Sequence, residues 1–137
     1  MTDASTAHEA PTAYYDGSCP VCTAEIAQYR RAGGGVAYAD VSRDALPEGL
    51  SREAAMARFH YRDADGRLLS GARAFAALWL RLSEGRPLLR ALARAANTHP
   101  ALIAGEAAYR AFLPLRPAIQ RIVRKRMEAK RVETGDA

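Results

Sequence analysis

Cysteine is scarce in this chain, with two among 137 residues. Two thiols cannot form a disulfide scaffold, and structural zinc needs about four nitrogen or sulfur ligands. Histidine adds little. His8, His60 and His99 stand at no ligand spacing from the cysteines, so a zinc site would require a second copy of the chain. Long apolar runs are missing: the longest, residues 74–80, falls far short of the roughly 18 residues of a membrane span. Residues 1–11 are polar, with no basic or apolar leader region, which predicts no secretory signal and a cytoplasmic location. Lysine is nearly absent, 2 against 18 arginines, and with so many alanines this points to base composition rather than function. Nor is positive charge general. The net charge is +5, yet residues 116–131 carry +6 through Arg116, Arg121, Arg124, Lys125, Arg126, Lys130 and Arg131 against Glu128. No nucleic-acid motif or interleaved aromatic pattern accompanies that segment, so no nucleic-acid partner is expected, and no cofactor is expected either.

The two cysteines that are present lie three positions apart, in Asp16-Gly17-Ser18-Cys19-Pro20-Val21-Cys22. A strand-like run, residues 12–15, precedes them and a helix-like run follows. In a reducing compartment a close pair at a strand-to-helix turn points to catalysis or metal binding rather than to a static staple.

The length fits one domain. Residues 1–11 read as a flexible tail and residues 12–15 as a buried strand. A helix begins at Cys19 or Pro20 and stops at Gly33-Gly34-Gly35, with Cys22, Ile26 and Tyr29 on its inner face. Residues 36–41 form a second strand, and the strand–helix–strand order predicts a right-handed parallel unit. A short helix starts at Ser51. Residues 58–62 and 67–70, joined by Asp63-Ala64-Asp65-Gly66, form a hairpin. A helix over 72–82 carries an apolar stripe of Phe75, Leu78, Trp79 and Leu82. This β-α-β then β-β-α order is an α/β, thioredoxin-like central sheet, assigned to residues 12–84. Residues 85–131 read as extra C-terminal helices packed on that core. They present Leu88, Leu89 and Leu92, then Ile103, Tyr109 and Phe112, then Ile119, Ile122, Val123 and Met127 with arginines opposite. Residues 132–137 are expected to be disordered.

Pro20 suits the first helical position, where its missing N–H costs nothing. Cys19 then caps the helix, and its sulfur accepts hydrogen bonds from the free amides of the first turn. Those amides and the helix dipole favour a thiolate, lowering the Cys19 pKa from a free value of about 8.5 toward neutrality or below. Cys19 is expected to be the more exposed sulfur, and Cys22, facing inward, the more protonated one. Asp16 is the carboxylate of the motif. It serves either as a proton acceptor for Cys22 or only as a turn cap, through the Gly17 and Ser18 amides. Two plainer alternatives for the cysteines stay open, half of a zinc site and a pair of inert buried thiols.

The run from Tyr14 to Cys22 resembles the signature of the DCC family of predicted thiol–disulfide oxidoreductases, named for its Asp-x-x-Cys-x-x-Cys motif. Phe59-His60-Tyr61-Arg62-Asp63-Ala64-Asp65-Gly66-Arg67 with Ser70-Gly71-Ala72-Arg73-Ala74-Phe75 is similar to that family's second block. The resemblance spans roughly residues 12–113 and implies a thioredoxin-like fold, with Asp16, Cys19 and Cys22 at the motif positions. Thioredoxins and glutaredoxins place a cis-proline before the third strand. Here Ala55-Met56-Ala57 occupies that stretch and the nearest proline, Pro47, is upstream. Met56 is therefore the candidate apolar contact for substrate, together with Pro20.

The function expected is thiol–disulfide exchange. Cys19 attacks a disulfide of a protein or a small-molecule thiol substrate, Cys22 resolves the mixed disulfide, and an external reductant resets the pair. The alternative is a redox-inactive binding module of the same fold that uses the basic C-terminal helix as its contact surface. For that helix the plainer reading is an apolar stripe on the domain and solvated arginines; the sharper ones are an acidic partner or an anionic membrane surface.

Overall fold

The computed structural model describes residues 10–134. Strand β1 (Thr12–Tyr15) leads through the cysteine turn into helix α1 (Pro20–Ala32), which returns the chain to β2 (Ala37–Asp40), parallel to β1. After the short helix α2 (Arg52–Ala57), strands β3 (His60–Arg62) and β4 (Leu68–Ser70) pair antiparallel, and β3 lies antiparallel to β1. The result is one four-stranded mixed sheet of order β2-β1-β3-β4. Helix α3 (Ala72–Leu82) completes the thioredoxin-like arrangement, followed by α4 (Pro87–Ala96), α5 (His99–Phe112), a 3-10 turn (Leu113–Leu115) and α6 (Arg116–Thr134). Among the described residues no helix is long and apolar enough to cross a membrane.

Local chemistry accounts for these boundaries. Pro20 opens α1, and Gly33, at φ 82°, closes it in a conformation that costs a residue without Cβ little. Ser51 caps α2 by accepting the Ala54 amide. The side chain of Asp63 holds the hairpin turn by accepting the amides of Asp65 and Arg67.

Alternation along β1 sends successive side chains to opposite faces of the sheet. Ala13 joins a core with Tyr61, Ala74, Leu78 and Leu82, against which Tyr29 of α1 packs. Tyr14 joins the other core, with Val41, Leu50 and Ala55. The cysteine turn leaves β1 between these two cores.

Several expectations need correcting. Pro11 is buried and its carbonyl accepts the Ala37 amide, so it belongs to the sheet rather than to a tail; residues 1–9 lie outside the described residues. The third strand starts at His60, because Arg58 instead ends α2. On α3, Leu78 and Leu82 are buried as expected, but Trp79 is 42% exposed and the alanines Ala74 and Ala76 are buried in its place. On α4, Leu88 (75% exposed), Leu89 and Leu92 do not pack inward. The buried residue is Ala93, and Asn97 ties the helix end to α3 by donating to the Ala76 carbonyl. Small residues let helices approach closely, which turns the larger side chains outward. Helix α6 continues to Thr134, past the expected boundary at 131, while residues 135–137 lie outside the described residues.

Candidate active site

The turn between β1 and α1 is held by two carboxylates. Asp16, the residue after β1, accepts from the Ser18 amide at 2.9 Å and the Ser18 hydroxyl at 2.5 Å through Oδ1. The Gly17 amide does not bind Asp16, as the sequence suggested. It donates instead to Asp40 Oδ1 at 2.8 Å, across from the end of β2. The same Asp40 oxygen accepts from the Ser42 amide and hydroxyl. Burial alone would raise the Asp40 carboxyl. The Ser42 and Gly17 bonds, with Arg43 beside it, outweigh that and hold its pKa below the usual carboxylate value. Residue 17 must be glycine at this spacing, because a Cβ there would stand 2.0 Å from Asp40 Oδ2.

This turn presents Cys19 as the N-cap of α1, at φ −94° and ψ 118°, with its sulfur accepting the Cys22 amide at 3.3 Å. Both cysteines are free thiols. Cys19 is only 1% exposed and Cys22 is half-buried, which reverses the expected order of exposure. The cover comes from α6. Gln120 lines the space beside the Cys19 sulfur, and Arg124 Nη2 donates to the Ser18 carbonyl at 2.8 Å. Accessible surface and depth rank the two sulfurs differently, since Cys22 has more protein packed around it despite its open edge. Solvent contact decides which sulfur a reagent can reach; depth decides the cost of ionising it.

The two thiols are pushed apart electrostatically. Burial raises Cys19, but hydrogen bonds from the Cys22 side chain and amide, then from Gln120, and the charge of Arg116 overcome it, and the pKa falls below the ordinary thiol value. Burial, followed by the hydrogen bond to Cys19 and the Cys19 charge, pushes Cys22 up to about 12, against the pull of Arg116. One sulfur is thus set to ionise and its neighbour to hold a proton, which is the division of labour that dithiol exchange uses.

Arg116 has no precedent in the sequence reading beyond its place in a basic run. It is the first residue of α6, and its side chain is 16% exposed rather than solvated. Nη2 lies 3.1 Å from Asp16 Oδ2 and 3.7 Å from Cys22 Sγ, and Nη1 donates to the Met56 carbonyl at 3.2 Å. Asp16 therefore works as turn cap and counter-ion together. To take a proton it would have to give up one of these bonds. Met56 contributes its carbonyl, while its side chain packs with the Tyr14–Val41 core. Pro20 is half-buried at the helix start. The apolar stripe of α6 packs only near its beginning: Ile122 and Met127 are exposed.

Beside the sulfurs is a small cavity of about 80 Å³, walled by Tyr14, Ile26, Phe59, Tyr109, Phe112 and Ile119. Helix α5 closes it from behind. The Tyr109 hydroxyl accepts the Phe59 amide at 2.8 Å, and Glu106 takes Arg58 Nη2 at 2.7 and 2.9 Å. Among the described residues no group of three or more His, Cys, Asp or Glu side chains is placed to share a metal ion. His60 is buried with Nδ1 against the Arg58 carbonyl, and His99 opens α5.

A family model described as DCC1-like thiol-disulfide oxidoreductase matches residues 13–122. That span runs from the sheet through both cysteines into the first turns of α6, and includes Arg116. No curated protein and no solved structure matches the chain.

Proposed function

The chain belongs to the DCC1-like thiol-disulfide oxidoreductase family, and from that premise we propose that it exchanges disulfides through Cys19 and Cys22. The observation that carries the reading is the sulfur of Cys19 at the N-cap of α1, accepting the Cys22 amide at 3.3 Å. A thiolate there gains from the helix N-terminus and from hydrogen bonds that a thiol would use less well.

In the first step Gln120 and Arg124 of α6 draw back from the turn, which exposes Cys19, and its thiolate attacks one sulfur of a substrate disulfide. A Cys19–substrate disulfide forms, the substrate S–S bond breaks, and the leaving thiolate takes a proton from water. In the second step Cys22, having lost its proton, attacks Cys19 Sγ. The substrate leaves as a thiolate, and the two cysteines end as an internal disulfide. The substrate gains two electrons and the protein loses two. An external thiol or dithiol reductant returns them, in a cytoplasmic setting. Asp16 organises the turn that carries Cys19 and balances the charge of Arg116.

Single substitutions test this. Reduced protein is mixed with an aromatic disulfide whose released thiolate absorbs visible light. Cys19→Ser is expected to abolish release, and Cys22→Ser to release one equivalent and remain as a mixed disulfide visible by mass spectrometry. Turnover by Cys19→Ser at the wild-type rate would overturn the assignment.

A further inference from the structure

Arg116 reaches the dithiol from 94 residues beyond Cys22, and its guanidinium lies largely shielded between a carboxylate and a sulfur. A largely shielded cation beside a neutral thiol gains little from it, but beside a thiolate it gains a charge-assisted contact. We propose that Arg116 is a catalytic residue of the second exchange step, stabilising the Cys22 thiolate as it displaces the substrate from Cys19. The inference rests on the dithiol reading above and assigns the group that makes its second step feasible.

The contacts of Cys22 explain why such a group is needed, and when it acts. Burial, the hydrogen bond to Cys19 and the Cys19 charge all keep Cys22 protonated while Cys19 is a thiolate. Once Cys19 is joined to substrate, its sulfur is neutral and no longer carries that charge. Burial and Asp16 then still oppose ionisation of Cys22, and Arg116 favours it. The resting dithiol therefore keeps its second thiol unreactive, and capture of a substrate releases it.

Other charged or titratable groups line the same space, Tyr14 and Tyr15 of β1 among them. Glu25 of α1 accepts the Tyr29 hydroxyl. Arg58, between α2 and β3, is paired with Glu106 of α5. The Tyr109 hydroxyl of α5 holds the Phe59 amide. Asp16, at the end of β1, shares Nη2 of Arg116 with Cys22.

In balance, the Cys22 S–H proton passes to solvent and its electron pair forms the Cys22–Cys19 bond. The Cys19–substrate bond breaks, and its pair leaves on the substrate sulfur, which takes up a proton. Arg116 keeps its own proton throughout, moving its weight from Asp16 toward Cys22.

Single-turnover stopped-flow with the aromatic disulfide resolves the two steps as two releases of coloured thiolate. Arg116→Met is expected to slow the second release by about tenfold or more, as loss of one charge-assisted contact implies. It should also move the pH midpoint of that phase upward, with the first release changed less than about threefold. Arg116→Lys should restore most of the second rate. Asp16→Asn should move the same midpoint downward, because it removes a negative charge facing Cys22. A structural role alone would slow both releases and give no shifts of opposite sign. The proposal is overturned if Arg116→Met keeps the second rate and its pH midpoint, or if Arg116→Met and Asp16→Asn move that midpoint the same way. If Arg116→Met does not fold, Arg116→Gln, which keeps hydrogen-bond donors for Asp16 and the Met56 carbonyl but carries no charge, takes its place with the same expected outcomes, and an unchanged second rate and pH midpoint in it overturns the proposal. A wild-type protein that gives no second release overturns the dithiol reading itself, and this inference with it.

Discussion

Substituting Gly17 by alanine tests the architecture of the cysteine turn directly. The new Cβ would stand 2.0 Å from Oδ2, 2.2 Å from Cγ and 2.6 Å from Oδ1 of Asp40, inside any contact distance two such atoms tolerate. The Asp40 carboxylate must swing away, which breaks its 2.8 Å bond from the Gly17 amide. The bonds from the Ser42 amide at 2.9 Å and hydroxyl at 2.6 Å are strained or lost with it. Hydrogen bonds to a charged group contribute about 1.5–3 kcal/mol each, so loss of one with weakening of two others gives about 2–4 kcal/mol. For a chain of this size that is a fall in Tm of about 10 °C. Urea unfolding of Gly17→Ala, Asp40→Ala and the double variant measures it. With Asp40 already truncated the new methyl meets no carboxylate, so the double variant should lie within about 0.5 kcal/mol of Asp40→Ala alone. Cys19 sits two residues beyond the perturbation, so its alkylation at neutral pH should slow in Gly17→Ala. A stability within about 0.5 kcal/mol of wild type, or additive single effects, would refute the reasoning.

The remaining expectations concern the supports of the site. The folded Asp40 pKa is lowered from 3.8, so its contribution to stability is present at neutral pH and is lost as pH falls through the lowered value. Asp40→Asn should flatten the loss of stability below about pH 4, read from urea midpoints across an acid series. Tyr109→Phe leaves the Phe59 amide without its acceptor and should cost about 1–2 kcal/mol in urea unfolding, with the cysteines unchanged. Leu88→Gln and Leu92→Gln should each change stability by less than about 0.5 kcal/mol, since both side chains lie on the outer face of α4.

The turn, the cap and the order of the elements along the chain could be read from the sequence because their signals are local. Pro20 marks the first turn of α1, and Cys19 is its cap by position alone. The apolar period of residues 72–82 coincides with the bounds of α3. What could not be read depends on contacts between distant parts of the chain. Nothing around Asp40 says that its oxygen will meet the Gly17 amide, 23 residues away. Arg116 looks like one more base in a basic run; only the prolines beside it, Pro114 and Pro117, set it apart. The burial of Cys19 is not legible locally, because helix N-caps usually face solvent and here a helix about 100 residues later lies over this one. The exposure of the α4 leucines is equally illegible, because periodicity identifies an apolar face but not whether a smaller residue such as Ala93 will make the contact.

A ribosome delivers the cysteines of this chain long before it delivers their cover. Ser18 and the arginine that binds its carbonyl are 106 residues apart, and Cys22 and its guanidinium 94. Until synthesis reaches α6, both sulfurs belong to a nascent sheet with neither lid nor cation. Synthesis of α6 is what closes the site.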